Sequence, residues 1–153
     1  MQTKFSGTID LDAGPEEVKN LISNVELVAS CIPDSKDFKK LDSAHFSITI
    51  NLGIGMVRGP FKLSGTVGTT EEGAARYSLS GKGLGSEVSI SITLSVAGSG
   101  ASSSKVSWDA VAEFSGIISG VSEPIIRKIT DEKVEEIAAN LKAKLESTGQ
   151  HGA

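Results

Sequence analysis

Apolar residues recur along this chain with two different periods, and the places where the period changes divide it into elements. From Lys4 to Asp12 the period is two. Phe5, Ile9 and Leu11 share one face, Gly7 interrupts their row, and Ser6, Thr8 and Asp10 share the other face, as in an antiparallel strand with one wet side. The run AGPEEVKNLISNVELVASCIPD breaks that alternation. Pro15 stands at a first helical position, Glu16 and Glu17 fall in the turn that favours acids, and Val18, Leu21 and Ile22 make an apolar face, which predicts a short helix. Asn24 is placed to cap a second one through Val25, Leu27, Val28 and Cys31. That helix must end before Pro33, because the residue preceding a proline avoids the helical region.

From Lys36 the period returns to two. Phe46, Ile48, Ile50 and Leu52 alternate with Ser47, Thr49 and Asn51; Phe61, Leu63 and Val67 alternate with Lys62, Ser64 and Thr66; Tyr77 and Leu79 follow. Val88, Ile90, Ile92, Leu94 and Val96 then alternate with Ser89, Ser91, Thr93 and Ser95. Val106, Trp108, Ala110 and Phe114 face away from Ser107, Asp109 and Glu113. The connectors GIG, GTTEEGAA, SGKGLGS and AGSGASSS are turn material. With the first strand, this predicts a six- or seven-stranded antiparallel sheet with one apolar and one Ser/Thr-rich face.

Beyond Gly116 the spacing becomes helical. Ile118, Val121, Ile125 and Ile129, then Val134, Ile137, Leu141 and Leu145, form one stripe. Gly116, Gly120 and Pro124 predict an irregular lead-in. A sheet with one apolar face and a helix with one apolar stripe can cover each other. Inner-row Gly65 and Gly81 are expected to mark bulges or close backbone approaches that let the sheet curl. The expected fold is therefore α+β: a helix-grip, with a curved sheet wrapped round a long C-terminal helix and two short helices after the first strand. One domain spans 1–147, and 148–153 is expected to be a disordered tail. Where helix and sheet stand apart a ligand cavity is expected. Its candidate lining is Ile22, Leu27, Cys31, Phe46, Ile48, Ile50, Phe61, Leu63, Tyr77, Leu79, Val88, Ile90, Ile92, Trp108, Phe114, Ile118, Val121 and Ile125.

Composition narrows the function classes. A chain of 153 residues, 39% hydrophobic and 22% charged, suits a single globular core, and 5% aromatic content makes that core mostly Ile, Val and Leu. A net charge of −4 without a Lys/Arg-rich run argues against nucleic acid and against anionic membrane surfaces. The single cysteine, Cys31, matches a reducing compartment. There is no secretory pattern and no apolar run of about 18 residues to span a bilayer, so a cytoplasmic location is expected.

Candidate chemistry is sparse. His45 and His151 lack neighbours at metal-ligand spacing, so no metal and no cofactor is expected. Cys31 lies among apolar residues and reads as a packing thiol. The GKGLG run sits between strands instead of opening a helix, so it reads as a hairpin and not as a phosphate loop. Arg58, Arg76, Asp109 and Glu113 fall in the outward row, although a bulge at Gly59–Pro60 would turn Arg58 inward. Trp108 and Tyr77 face inward. No catalytic set emerges.

Four stretches in order carry a family resemblance: CIPD at Cys31–Asp34, VRGPFKLSGTV at Val57–Val67, YSLSGKGLGSEVSISITLSV at Tyr77–Val96, and FSGIISGVSEPIIRKI at Phe114–Ile129. Together they resemble the carbon monoxide dehydrogenase G-subunit family, within the START-like, Bet v 1-like superfamily, from about Lys4 to Leu145. The resemblance implies a non-catalytic accessory of a molybdenum-containing carbon monoxide dehydrogenase or related enzyme, handling an apolar small molecule such as a lipid or quinone. Several relatives carry a C-terminal membrane-anchoring segment; this sequence ends at Ala153 after a polar tail, so direct anchoring is not expected. Two other readings stand beside the carrier. One is a cyclase or hydratase, which needs Arg58, Arg76, Asp109, Glu87 or His45 inside the cavity. The other is a docking or assembly factor using a patch at Leu52, Ile54, Met56 and Val57. Gly116–Pro124 is placed where a gate to the cavity would lie.

Overall fold

The computed structural model describes residues 2–54, 57–69, 74–100 and 102–152; among these, the side chains at 52, 54, 57, 99 and from 146 onward are not described. The docking patch at Leu52, Ile54, Met56 and Val57, and the tail with His151, fall outside the described side chains.

The chain runs β1 (Gln2–Leu11), α1 (Pro15–Ser23), α2 (Val25–Ser30), β2 (Ser35–Lys40), β3 (His45–Ile54), β4 (Val57–Thr69), β5 (Ala75–Gly83), β6 (Ser86–Gly100), β7 (Ser103–Gly116), a 3-10 turn (Ile117–Gly120) and α3 (Glu123–Gly152). The seven strands form one sheet in the order β1-β7-β6-β5-β4-β3-β2, antiparallel throughout. Each hairpin joins sequence neighbours, and β1 closes against β7. This is the α+β helix-grip that the alternation predicts.

Local chemistry explains the short elements. Pro15 opens α1, where its missing N–H costs no hydrogen bond. The Asn24 side chain accepts from the Leu27 N–H at 3.2 Å and caps α2. Between β5 and β6 the chain reverses over Leu84 and Gly85, with φ of 54° and 72°. Two successive left-handed residues make the hairpin turn whose twist matches the flanking strands. GKGLG is thus a hairpin.

Gly65 and Gly81 are close approaches, not bulges, for the β4–β5 register passes through both without a shift. A Cβ on Gly65 would run into the Phe46 ring, and one on Gly81 into the Lys62 carbonyl. The register shifts lie elsewhere, between Lys36 and Lys39 in β2 and between Gly98 and Gly100 in β6. Pairing is likewise continuous through Gly59 and Pro60, so Arg58 stays outward and exposed.

The C-terminal stripe needs one correction. Ile125 is 48% exposed, and its neighbour Ile126, at 1%, is the buried residue. The reason lies in the lead-in. Gly116 takes φ 81°, the 3-10 turn follows, Val121 is extended, and the regular helix starts only at Glu123. Spacing from Ile118 to Ile125 therefore crosses three conformations and loses its phase. Counted from Ile126, the inner side of α3 runs through Ile129, Ile137, Leu141 and Leu145. Pro124 falls in the first turn of α3, where its missing N–H leaves no helical hydrogen bond unmade.

Candidate functional site: the inner face of the sheet

The inner rows of the sheet are not covered evenly. Toward β3 and β4 they are sealed: Phe46, Ile48, Phe61 and Leu63 are all buried. Phe46 packs edge-on against Tyr77 with ring centroids 6.4 Å apart, and Phe38 closes over Phe46 at 6.0 Å. Tyr77, on β5, donates its hydroxyl hydrogen bond to the Ile22 carbonyl at the end of α1. Burial pushes this phenol up to about 12, because the charged form would lose its hydration. The bond pins α1 to the inner face, with Val18, Leu21 and Ile22 buried beneath it.

Along β6 the picture changes. Ile90, Ile92, Leu94 and Val96 all point inward, and all four remain partly exposed. Trp108 on β7, Ile9 on β1, Leu79 on β5 and Val67 on β4 are likewise half-buried. Of the strands, α3 comes nearest to β1 and β3, which lie toward opposite edges of the sheet. The helix thus spans the concave face between those two strands, while α1 packs on the central ones, β6 foremost. We read the half-buried inner row of β6 and the half-buried Ile129 and Ile137 of α3 as the sides of one apolar trough.

Polar contacts tie α3 to β1 and to the connection between α2 and β2. The Arg127 guanidinium lies 5.2 Å from the centroid of the Phe5 ring and pairs with Glu123 at 2.9 Å. Farther along, Lys133 reaches Asp34 at 2.6 Å, and Asn140 donates to the Cys31 carbonyl at 2.8 Å. The Cys31 thiol is fully buried. Burial raises its pKa, against smaller lowering by Ser30 and Lys144, so it stays a packing group. One inner-face polar atom is unmatched: the Thr3 hydroxyl is buried with no hydrogen-bond partner among the described residues.

The residues on which a cyclase or hydratase would draw lie at the surface. Arg58, Arg76, Glu87, Asp109 and His45 are exposed. Glu87 pairs with Lys82 at 3.0 Å, and His45 sits 2.9 Å from Asp42. The Asp42 carboxyl is held below its ordinary range, chiefly by the Ala44 N–H, with His45 adding to it. Among the described residues no cluster of His, Cys, Asp or Glu could hold a metal, and no helix is long and apolar enough to cross a membrane.

Of the candidate lining, the structure puts Ile22, Cys31, Phe46, Ile48, Phe61, Leu63, Tyr77, Val88, Phe114 and Ile118 in sealed packing. Ile50, Leu79, Ile90, Ile92 and Trp108 are partly open on the sheet, with Leu27 on α2 and Val121 before α3. Ile125 lies on the outside. Ile9, Leu94 and Val96 join this partly open set, and the alternation of their strands already turns them inward. Two grooves lie apart from the trough. A groove of about 580 Å³ crosses the outward row at Ser64, Ser80, Lys82, Glu87 and Ser89, and a second of about 410 Å³ lies beside the β5–β6 turn. Their charged groups are already paired, Lys82 with Glu87 and Glu113 with Gln2 at 3.3 Å. They belong to the polar surface.

The family model for the G subunit of carbon monoxide dehydrogenase (CoxG) matches residues 7–146. No curated protein matches the sequence. Among solved structures, a conserved protein from Geobacillus kaustophilus superposes with a TM-score of 0.82 at 13% identity, covering 95% of this chain and 97% of that one. A START superfamily protein from Mycobacterium smegmatis gives 0.77 at 18%, covering 95% and 98%. The Zhui aromatase/cyclase from Streptomyces sp. R1128 gives 0.71 at 7%, covering 95% and 94%. At these identities the likeness is one of fold, and the fold is START-like, Bet v 1-like.

Proposed function

Since the chain belongs to the carbon monoxide dehydrogenase G-subunit family, CoxG, we propose that it is a non-catalytic carrier. It holds an apolar small molecule, a lipid or a quinone-like compound, between the curved sheet and α3, and passes it to or from a molybdenum-containing carbon monoxide dehydrogenase or a related enzyme. The observation that carries this reading is the partly open row Ile90, Ile92, Leu94 and Val96 on a central strand. An apolar row inside a fold is normally sealed, and each such side chain gains about 1.5–3 kcal/mol on full burial. A ligand that completes the burial supplies the missing cover.

The same trough supports the carrier over the cyclase. Acid–base chemistry needs a titrating group within hydrogen-bond reach of the substrate, and Arg58, Arg76, Glu87, Asp109 and His45 all face solvent. Tyr77 spends its hydroxyl on Ile22 and, at about 12, is a poor base near neutral pH. An aliphatic trough selects for shape and apolar area, which suits a carrier.

Native mass spectrometry of protein purified gently from its own host tests the reading. A retained lipophile, released on denaturation and raising the melting temperature when added back, is the expected result. Protein that emerges empty and whose melting temperature no lipid or quinone shifts would overturn it.

A further inference from the structure

Trp108 lies within the open part of the trough, and its position depends on a residue on the neighbouring strand that has no side chain. In the register, Trp108 stands between Gly7 on β1 and Leu94 on β6. Its exposure is therefore not that of a sheet edge, since β1 lies outside it. A Cβ built on Gly7 would fall 2.9 Å from Trp108 Cζ2, 2.9 Å from Nε1 and 3.0 Å from Cε2. The indole thus lies against the bare backbone of β1, in space that any side chain at position 7 would occupy. The ring is rigid and has no flexible end to give way, so a side chain there must drive it off the strand.

We propose, resting on the carrier reading, that Trp108 seated on Gly7 is the ligand-contacting floor of the trough, and that the missing side chain at position 7 sets its depth. The glycine interrupts the inner row between Phe5 and Ile9 at the one place where the facing residue is the largest in the chain. With Gly7, the indole keeps to the sheet and turns a face to the ligand. With a larger residue it swings into the trough and fills the space the ligand needs.

Trp108 is the only tryptophan, so its emission reports on the floor alone. Stearate and dibrominated stearate are the probes, since bromine quenches indole emission only near contact. Calorimetry is expected to show that stearate binds the unaltered protein, and the brominated acid is expected to quench more than half of the emission at saturation, with stearate itself leaving it bright. Gly7→Val should weaken stearate binding by about tenfold or more, and adding Trp108→Phe should recover most of the loss. Binding of both acids without selective quenching overturns the floor and leaves the carrier reading standing, and so does a folded Gly7→Val that binds like the parent. Failure of both acids to bind the unaltered protein overturns the floor as proposed, while the carrier reading is decided separately by the mass spectrometry above. The quenching test needs no variant, so it decides even if Gly7→Val does not fold.

Discussion

Strands β3 and β6 have nearly the same inner pattern and opposite fates. β3 points Phe46, Ile48 and Ile50 inward between Ser and Thr; β6 does the same with Ile90, Ile92, Leu94 and Val96. Phe46 and Ile48 are 4% and 2% exposed and, of those three, only Ile50 is partly open, whereas on β6 only Val88 of the inner apolar residues is sealed and Ile90, Ile92, Leu94 and Val96 stay partly open. The residues are equally apolar and the backbones equally regular. The two rows lie under different helices: α3 approaches β3 and β1, whereas β6 lies between those supports and is covered by the short α1. Alternation therefore assigns a side chain to a face, but the distance to the covering helix decides whether it becomes core or binding surface.

The largest expected effect tests that contrast directly. Ile48→Ala removes methylenes from sealed packing and should cost about 3–5 kcal/mol, read as a lower midpoint in urea. Ile92→Ala makes the same chemical change in the open row and should cost about 1 kcal/mol, since less contact is lost, while weakening ligand binding. Equal losses at the two positions would mean that the trough is packed like the rest.

Next comes the pin between sheet and α1. Tyr77→Phe deletes the bond to the Ile22 carbonyl and should cost about 1–2 kcal/mol at neutral pH. The pH dependence has a definite sign. Folded Tyr77 titrates near 12 and an unfolded tyrosine near about 10, so the folded state binds the extra proton between those values. Its contribution is complete below pH of about 10 and is lost as pH rises to about 12, amounting to roughly 2–3 kcal/mol. Parent and Tyr77→Phe should therefore converge or cross in alkaline denaturation curves. As the only tyrosine, Tyr77 can also be followed by its phenolate absorbance, and ionisation near pH 10 in the folded protein would count against the buried pin.

Thr3→Val should have the smallest effect. The hydroxyl is buried without a described partner, and replacing an unsatisfied polar group by a methyl of the same shape is neutral or stabilising, by up to about 1–2 kcal/mol. A clear loss of melting temperature would reveal a partner for it.

Much of the fold was readable because it rests on short-range rules. The period of two from Phe46 to Phe114, the Pro15 start and the Asn24 cap each act within a few residues, and each element appears where those signals placed it. Reading failed where the conformation changed within one apolar run. Ile118 to Ile125 keep helical spacing in the sequence, but the 3-10 turn and extended Val121 shift the buried position to Ile126. The open row of the site was only partly readable: Ile90 and Ile92 were picked out, while Leu94, Val96 and Ile9 carried no different signal from the sealed residues beside them. The seat of Trp108 on Gly7 was beyond reach, because those two residues meet only through the pairing of the first strand with the last.

The sequence by itself determined which sheet residues face inward, that six or seven strands combine with two short helices and a long one, and that the inner face is aliphatic and poor in chemistry. These follow from alternation, capping and composition, which act locally. Only the tertiary structure decided where that face is sealed and where it stays open. That depends on a helix supported at β1 and β3, on the curl allowed by close approaches at Gly65 and Gly81, and on the bare backbone at Gly7. Each of these is a distance between segments far apart in the chain, and no periodicity within a segment encodes such a distance.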